Sequence, residues 1–132
     1  MTLIAPITAL TMVGLLPIYI NLAFRVIKKR REFKVPVGTG NRSELETAIR
    51  AHGNFSEYVP FFLLLLLTAE INQAPIWLLV PCALLMITGR LIHSIAIPSG
   101  DLPKRVMGMQ LTFAALIIAA ITNLVPFVIA IF

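Results

Sequence analysis

Residues 1–24, 71–89 and 106–132 carry no charged side chain. Each run approaches or exceeds the roughly 20 residues a helix needs to cross the hydrocarbon core of a bilayer. A fourth apolar run, Val59 to Ala69, stops at Glu70 and is too short alone. It reaches crossing length only if Glu44 to Tyr58 belongs to the same helix. Ser43-Glu44-Leu45-Glu46 reads as an S-x-x-E capping box, with Ser43 at the N-cap of a helix that continues through this span. The pattern predicts an all-α, four-helix integral membrane bundle, with helices at about 3–30, 44–69, 75–97 and 104–131, forming one domain over residues 1–132.

Composition agrees: 58% of residues are hydrophobic and 13% charged. A soluble domain carries about twice that charged share, so too little polar surface remains to cover a water-soluble enzyme. The net charge of +5 is therefore read first as a topology signal, not as a nucleic-acid footprint. Arg25, Lys28, Lys29, Arg30, Arg31, Lys34 and Arg42 cluster between the first two spans; Lys104 and Arg105 lie between the last two. The positive-inside rule predicts that both basic connections face the cytoplasm and both termini lie on the other side. Cations follow the first span instead of preceding it, which reads as a retained anchor. The lone Cys82 excludes an intrachain disulfide and a cysteine-based metal site, and no metal is expected.

The informative residues interrupt the second and third spans. Arg50, His52, Asn54, Glu57 and Tyr58 precede Pro60 in a helix that must cross lipid. At about 100° per residue, Asn54, Glu57 and Tyr58 fall roughly 40°, −20° and 80° from Arg50, whereas His52 points elsewhere. Arg90 and His93 share a face of the third span. Ionised groups inside a bilayer cost about 2.5–3.5 kcal/mol each on insertion scales, so these must face a bundle interior or a wet cavity. The structural reading is an ion-pair network joining Glu57 to Arg50 or Arg90. The functional one notes a single anion against two cations, a surplus that suits an anionic ligand. Pro60, which lacks an amide hydrogen, predicts a kink beside the stripe. The run Arg25 to Lys34 reads as a stop-transfer flank on anionic lipid, with an arginine free to reach over the stripe.

The stretch from Ser43 to Pro60 resembles the signature of the MAPEG family, the membrane-associated proteins of eicosanoid and glutathione metabolism: an arginine, asparagine four later, glutamate three after that, then tyrosine and proline. The likeness extends through Val26 to Val35 and through Gly89-Arg-Leu-Ile-His93, and is similar to a short bacterial inner-membrane branch. It implies a homotrimer binding glutathione as co-substrate between subunits, open to the cytoplasm, and joining its thiolate to a lipophilic electrophile from the bilayer. Residue by residue, it implies that Arg50, Asn54, Glu57 and Tyr58 hold glutathione, with Glu57 taking the amino group. Arg30 and Arg31 match paired arginines after the first helix, and Arg31 aligns with the one proposed to stabilise the thiolate. The resemblance implies further glutathione contacts from Arg30, from His52 (where relatives often have glutamine), from Arg90 (which resembles a third-helix arginine), from His93, and from Lys104 or Arg105 (matching a later cation). The chain departs from relatives where tyrosines contact glutathione: His93 and Ile97 stand there. His93 can replace a hydrogen bond, but Ile97 cannot, which implies weaker affinity or a different thiol. Two other readings stay open: a catalytically silent membrane protein binding lipid or a partner, and a small proton-coupled exporter using Glu57.

Overall fold

A computed structural model describes residues 4–131, without the side chains of residues 127, 129 and 130. Among the described residues there are four helices: α1 (Pro6–Phe33), α2 (Ser43–Ile71), α3 (Ile76–Ser99) and α4 (Leu102–Ile131). All four are long and apolar enough to cross a membrane, as the charge-free runs predict. The expected start of the first helix, at residue 3, lies outside the described residues.

The helix ends differ from the sequence reading for local reasons. α1 continues through Arg30 to Phe33 because the basic run consists of good helix formers. It stops at Lys34, whose left-handed backbone (φ 55°) lets the Val35 amide donate to the Arg30 carbonyl at 3.0 Å. The capping box is not formed. Arg42, in extended conformation, fills the N-cap position and its carbonyl accepts from the Glu46 amide at 3.0 Å; Ser43 is already helical and no side chain caps this end. α4 begins two residues before the expected position because Asp101 caps it, its carboxylate accepting the Lys104 amide at 3.0 Å with Pro103 in the first turn.

The core is a stack of spaced apolar side chains. On α2, Leu45, Ala51, Phe55, Val59, Phe62, Leu66 and Ala69 recur at helical spacing and are all buried. On α4 the buried positions Thr112, Ala115, Ala119 and Thr122 are small, following Gly108. Small residues let backbones approach closely in membranes, where lipid is as apolar as leucine and contact area must drive association. The approach is closest at the α3–α4 crossing. A Cβ added to Gly108 would lie 2.9 Å from the Gly89 carbonyl oxygen, and one added to Gly89 would lie 2.9 Å from the Gly108 carbonyl oxygen.

Polar contacts fix the ends. Glu70, at the end of α2, accepts the amides of Ile7 and Thr8 and the Thr8 hydroxyl, each at 2.7 Å. It therefore serves as the missing N-cap of α1, whose own preceding residue, Ala5, has no capping side chain. At the opposite end, Arg25 donates to the Ser94 carbonyl at 2.7 Å and Lys29 pairs with Glu44, joining α1 to α3 and to α2. Between α2 and α4, Asn123 donates to the Leu65 carbonyl and accepts from the Thr68 hydroxyl, both at 2.8 Å.

Candidate functional site

The burial of one face of α2 dictates what lies on the other. With Ala51, Phe55 and Val59 turned inward, Arg50 and Glu57 are exposed on the outer arc, while Asn54 and Tyr58 are half-buried at its edge. The structure thus keeps the four stripe residues on adjoining turns but divides them into an outward pair and a seam pair. Among the described residues, neither Arg50 nor Glu57 takes part in a salt bridge; the pairs present are Lys29 with Glu32 and Glu44, and Lys104 with Asp101. The network that would join Glu57 to Arg50 or Arg90 is not formed.

Arg90 goes inward instead. It is 1% exposed, and its guanidinium donates to Asn54 Oδ1 and to Thr112 Oγ1, both at 2.6 Å, with Met109 Sδ at 3.4 Å. Its Cζ lies 6.0 Å from the centroid of the Tyr58 ring, which also packs T-shaped with Phe113 at 5.4 Å. Arg90 therefore ties the seam residues Asn54 and Tyr58 to α3 and α4. His93 and Ile97 are also buried. The His93 backbone lies against Gly108, within 2.9 Å of where a Cβ there would stand. At Ile97, no side-chain hydrogen bond is available, as its chemistry requires.

His52 lies off the stripe, as its angle predicts, and faces α1. Its ring lies 5.1 Å from Tyr19, which in turn lies 5.7 Å from Phe55, and His52 Nε2 is buried without a partner. Of the paired arginines, Arg30 is engaged. Its Nη1 donates to the carbonyls of Val35, Pro36 and Gly38 at 3.1–3.3 Å, folding the α1–α2 linker back onto the helix end. Arg31 is exposed, with no side-chain hydrogen bond or ion pair among the described residues. Lys104 pairs with Asp101 at 2.6 Å, and this contact, with the Lys104 amide, holds the Asp101 carboxyl below the usual carboxylate range. Arg105 is exposed.

A cavity of about 580 Å³ opens between α1, α2 and α3. Arg25, Lys28, Glu32, Glu44 and Thr47 line it with Ile97, and none of the stripe residues does. The sequence reading missed Thr112, Met109 and Tyr19, which contact its candidate residues. Only Thr112 left a signal, as one of the small side chains spaced along α4. No group of three or more His, Cys, Asp or Glu side chains is placed to hold a metal among the described residues.

The sequence model of the MAPEG family matches residues 8–125, which span most of α1 and α4 and all of α2, with its arc, and α3. The chain is also 36% identical over 104 residues to inner membrane protein YecN of Escherichia coli K12, covering 79% of each chain. The same protein of Escherichia coli O6:H1 matches to the same extent. Four membrane-crossing helices, an Arg-Asn-Glu-Tyr arc on the second, and these two matches give one conclusion: the chain belongs to the MAPEG family.

Proposed function

We propose that the protein is a glutathione transferase of the inner membrane, working as a homotrimer, with peroxide reduction as the related chemistry the same thiolate would serve. The basic connections face the cytoplasm, where glutathione is abundant, and both termini face the other side. The observation that carries this reading is the unpaired charge of Arg50 and Glu57 on the outer arc of a membrane-crossing helix. Two ionised groups at about 2.5–3.5 kcal/mol each do not stay in lipid without a protein surface or a polar ligand against them. A second copy of the chain packed on this arc, with a zwitterionic tripeptide between, meets that need. Glu57 takes the ammonium group, and Arg50 with the Asn54 amide takes a carboxylate.

Arg31 supplies the chemistry in this reading. A thiol of pKa near 8.5 is mostly protonated at neutral pH, and its thiolate is the nucleophile. A guanidinium about 4 Å away contributes up to roughly 4 kcal/mol at an effective dielectric near 20, and half of that makes the thiolate a major species. The sulfur then attacks an electrophilic carbon of a molecule dissolved in the bilayer. A C–S bond forms and the leaving group departs with its electron pair. Arg30 is spent on the linker carbonyls and supports Arg31 by fixing the helix end.

The test is thermal melting of the detergent-purified protein with and without glutathione. Glutathione should raise the melting temperature of the wild type, and Glu57→Gln should abolish most of that rise while leaving the unliganded melting temperature in place. A wild type that melts identically with and without millimolar glutathione would falsify the proposal.

A further inference from the structure

Among the described residues Arg90 is the largest fully buried side chain, and the chemistry above gives it nothing to do. No carboxylate forms an ion pair with it among the described residues, and its Nε is buried without a partner. An apolar side chain of similar volume would fill the same space without the cost of burying a cation. Its hydrogen bond to Thr112 does link α3 to α4, but that seam is already closed by the contact of Gly89 and Gly108 and by the small side chains along α4.

One thing Arg90 does is beyond any apolar residue: it decides which way round the Asn54 amide sits. A carboxamide has an acceptor end and a donor end, whereas a guanidinium has donors only. The end of Asn54 that faces Arg90, at 2.6 Å, must therefore be the oxygen. The nitrogen is thereby turned from Arg90; it makes no hydrogen bond among the described residues and is not buried. Tyr58 lies against the same group, its ring centroid 6.0 Å from the Arg90 guanidinium carbon and its plane at right angles to Phe113. Without Arg90 the amide would rotate freely between two states of similar energy and present an acceptor part of the time.

We infer that Arg90 is a positioning residue, whose buried guanidinium orients Asn54 so that the arc presents an N–H donor to the ligand, selecting a carboxylate there. This rests on the proposed function for the identity of the ligand. Arg90 acts through Asn54 and touches no substrate itself. The arc then reads as two donors, Arg50 and the Asn54 amide, beside one acceptor, Glu57.

Asn54→Asp separates positioning from gluing. The variant is nearly isosteric and pairs with Arg90 as an ion pair, so the unliganded melting temperature should hold or rise. It removes the outward N–H and places a second anion near Glu57. Glutathione affinity, measured by calorimetry in detergent, should fall about tenfold or more, the loss expected for one hydrogen bond to a charged group. Arg90→Met should weaken glutathione binding less than Asn54→Asp does, because its amide still presents the donor part of the time. Asn54→Asp that binds within twofold of a glutathione-binding wild type removes the role of Arg90 together with the Asn54 contact, and leaves glutathione binding by Arg50 and Glu57 standing. A fall in affinity matched by a fall in melting temperature also overturns the role of Arg90, since the fold would then be what was lost. A wild type that does not bind glutathione removes the proposed function, and this inference with it.

Discussion

Two glutamates on α2 show opposite treatments of the same side chain. Glu70, near the end of the helix, is saturated by two backbone amides and a hydroxyl of α1, all at 2.7 Å. Glu57 lies exposed on the arc and takes part in no salt bridge among the described residues. The first satisfies donors that the start of α1 would otherwise leave orphaned, so it is part of what holds the bundle. The second makes no ion pair among the described residues and is free to act on something outside the chain. Charge in a membrane helix is thus no sign of function by itself; whether its partners lie within the same chain decides.

The widest gap should appear when each carboxylate is removed in turn. Glu70→Ala strips three charge-assisted hydrogen bonds and should cost about 2–3 kcal/mol of stability. Glu57→Ala should change it by less than ~0.5 kcal/mol in the absence of ligand. Equal losses in melting temperature would erase the distinction. Next comes Arg31, the exposed member of the arginine pair. Arg31→Leu should slow conjugation about 30-fold, equivalent to ~2 kcal/mol, with little change in glutathione affinity. Unchanged turnover would take Arg31 out of the chemistry.

A smaller effect belongs to the closed side of the molecule. Gly108→Ala sets a Cβ 2.9 Å from the Gly89 carbonyl oxygen and should cost about 1–2 kcal/mol net, after the roughly 1 kcal/mol that alanine gains as a helix former. A variant that melts above the wild type would show that α3 and α4 have room to part. The smallest effect is at Asp101, whose lowered carboxyl pKa comes first from the Lys104 side chain. A depressed acid stabilises the fold above its unfolded pKa and loses that contribution as pH falls through the folded one. Asp101→Asn should therefore melt slightly below the wild type at neutral pH, and the difference should vanish in strong acid.

How much of this was legible beforehand depends on the range of each interaction. The spans were legible because crossing a bilayer is a property of one segment, and the arc because its residues are separated by single helical turns. The burial of Arg90 was not: its partners on α2 and α4 are 36 and 22 positions away, and a helical wheel shows an angle without the neighbour that fills it. The cap that Glu70 provides for α1 spans 62 and 63 positions, and the sequence marks it only as the residue that ends an apolar run. Two local signals point the other way. Asp101, two before Pro103, marks the start of α4, and the Ser43 capping pattern competes with Arg42, which occupies the N-cap position. His52 was partly legible: its angle set it off the stripe, but nothing in the sequence named Tyr19 as its neighbour.

The touching backbones of Gly89 and Gly108 carry a mechanical consequence. With no side chain between them to slide or rotate, α3 and α4 must move as a single plate. Any opening within the bundle is therefore left to α2 and to α1. Of the two, α1 is pinned by Glu70 at one end and by Arg25 and Lys29 at the other, like a bowstring held at its tips.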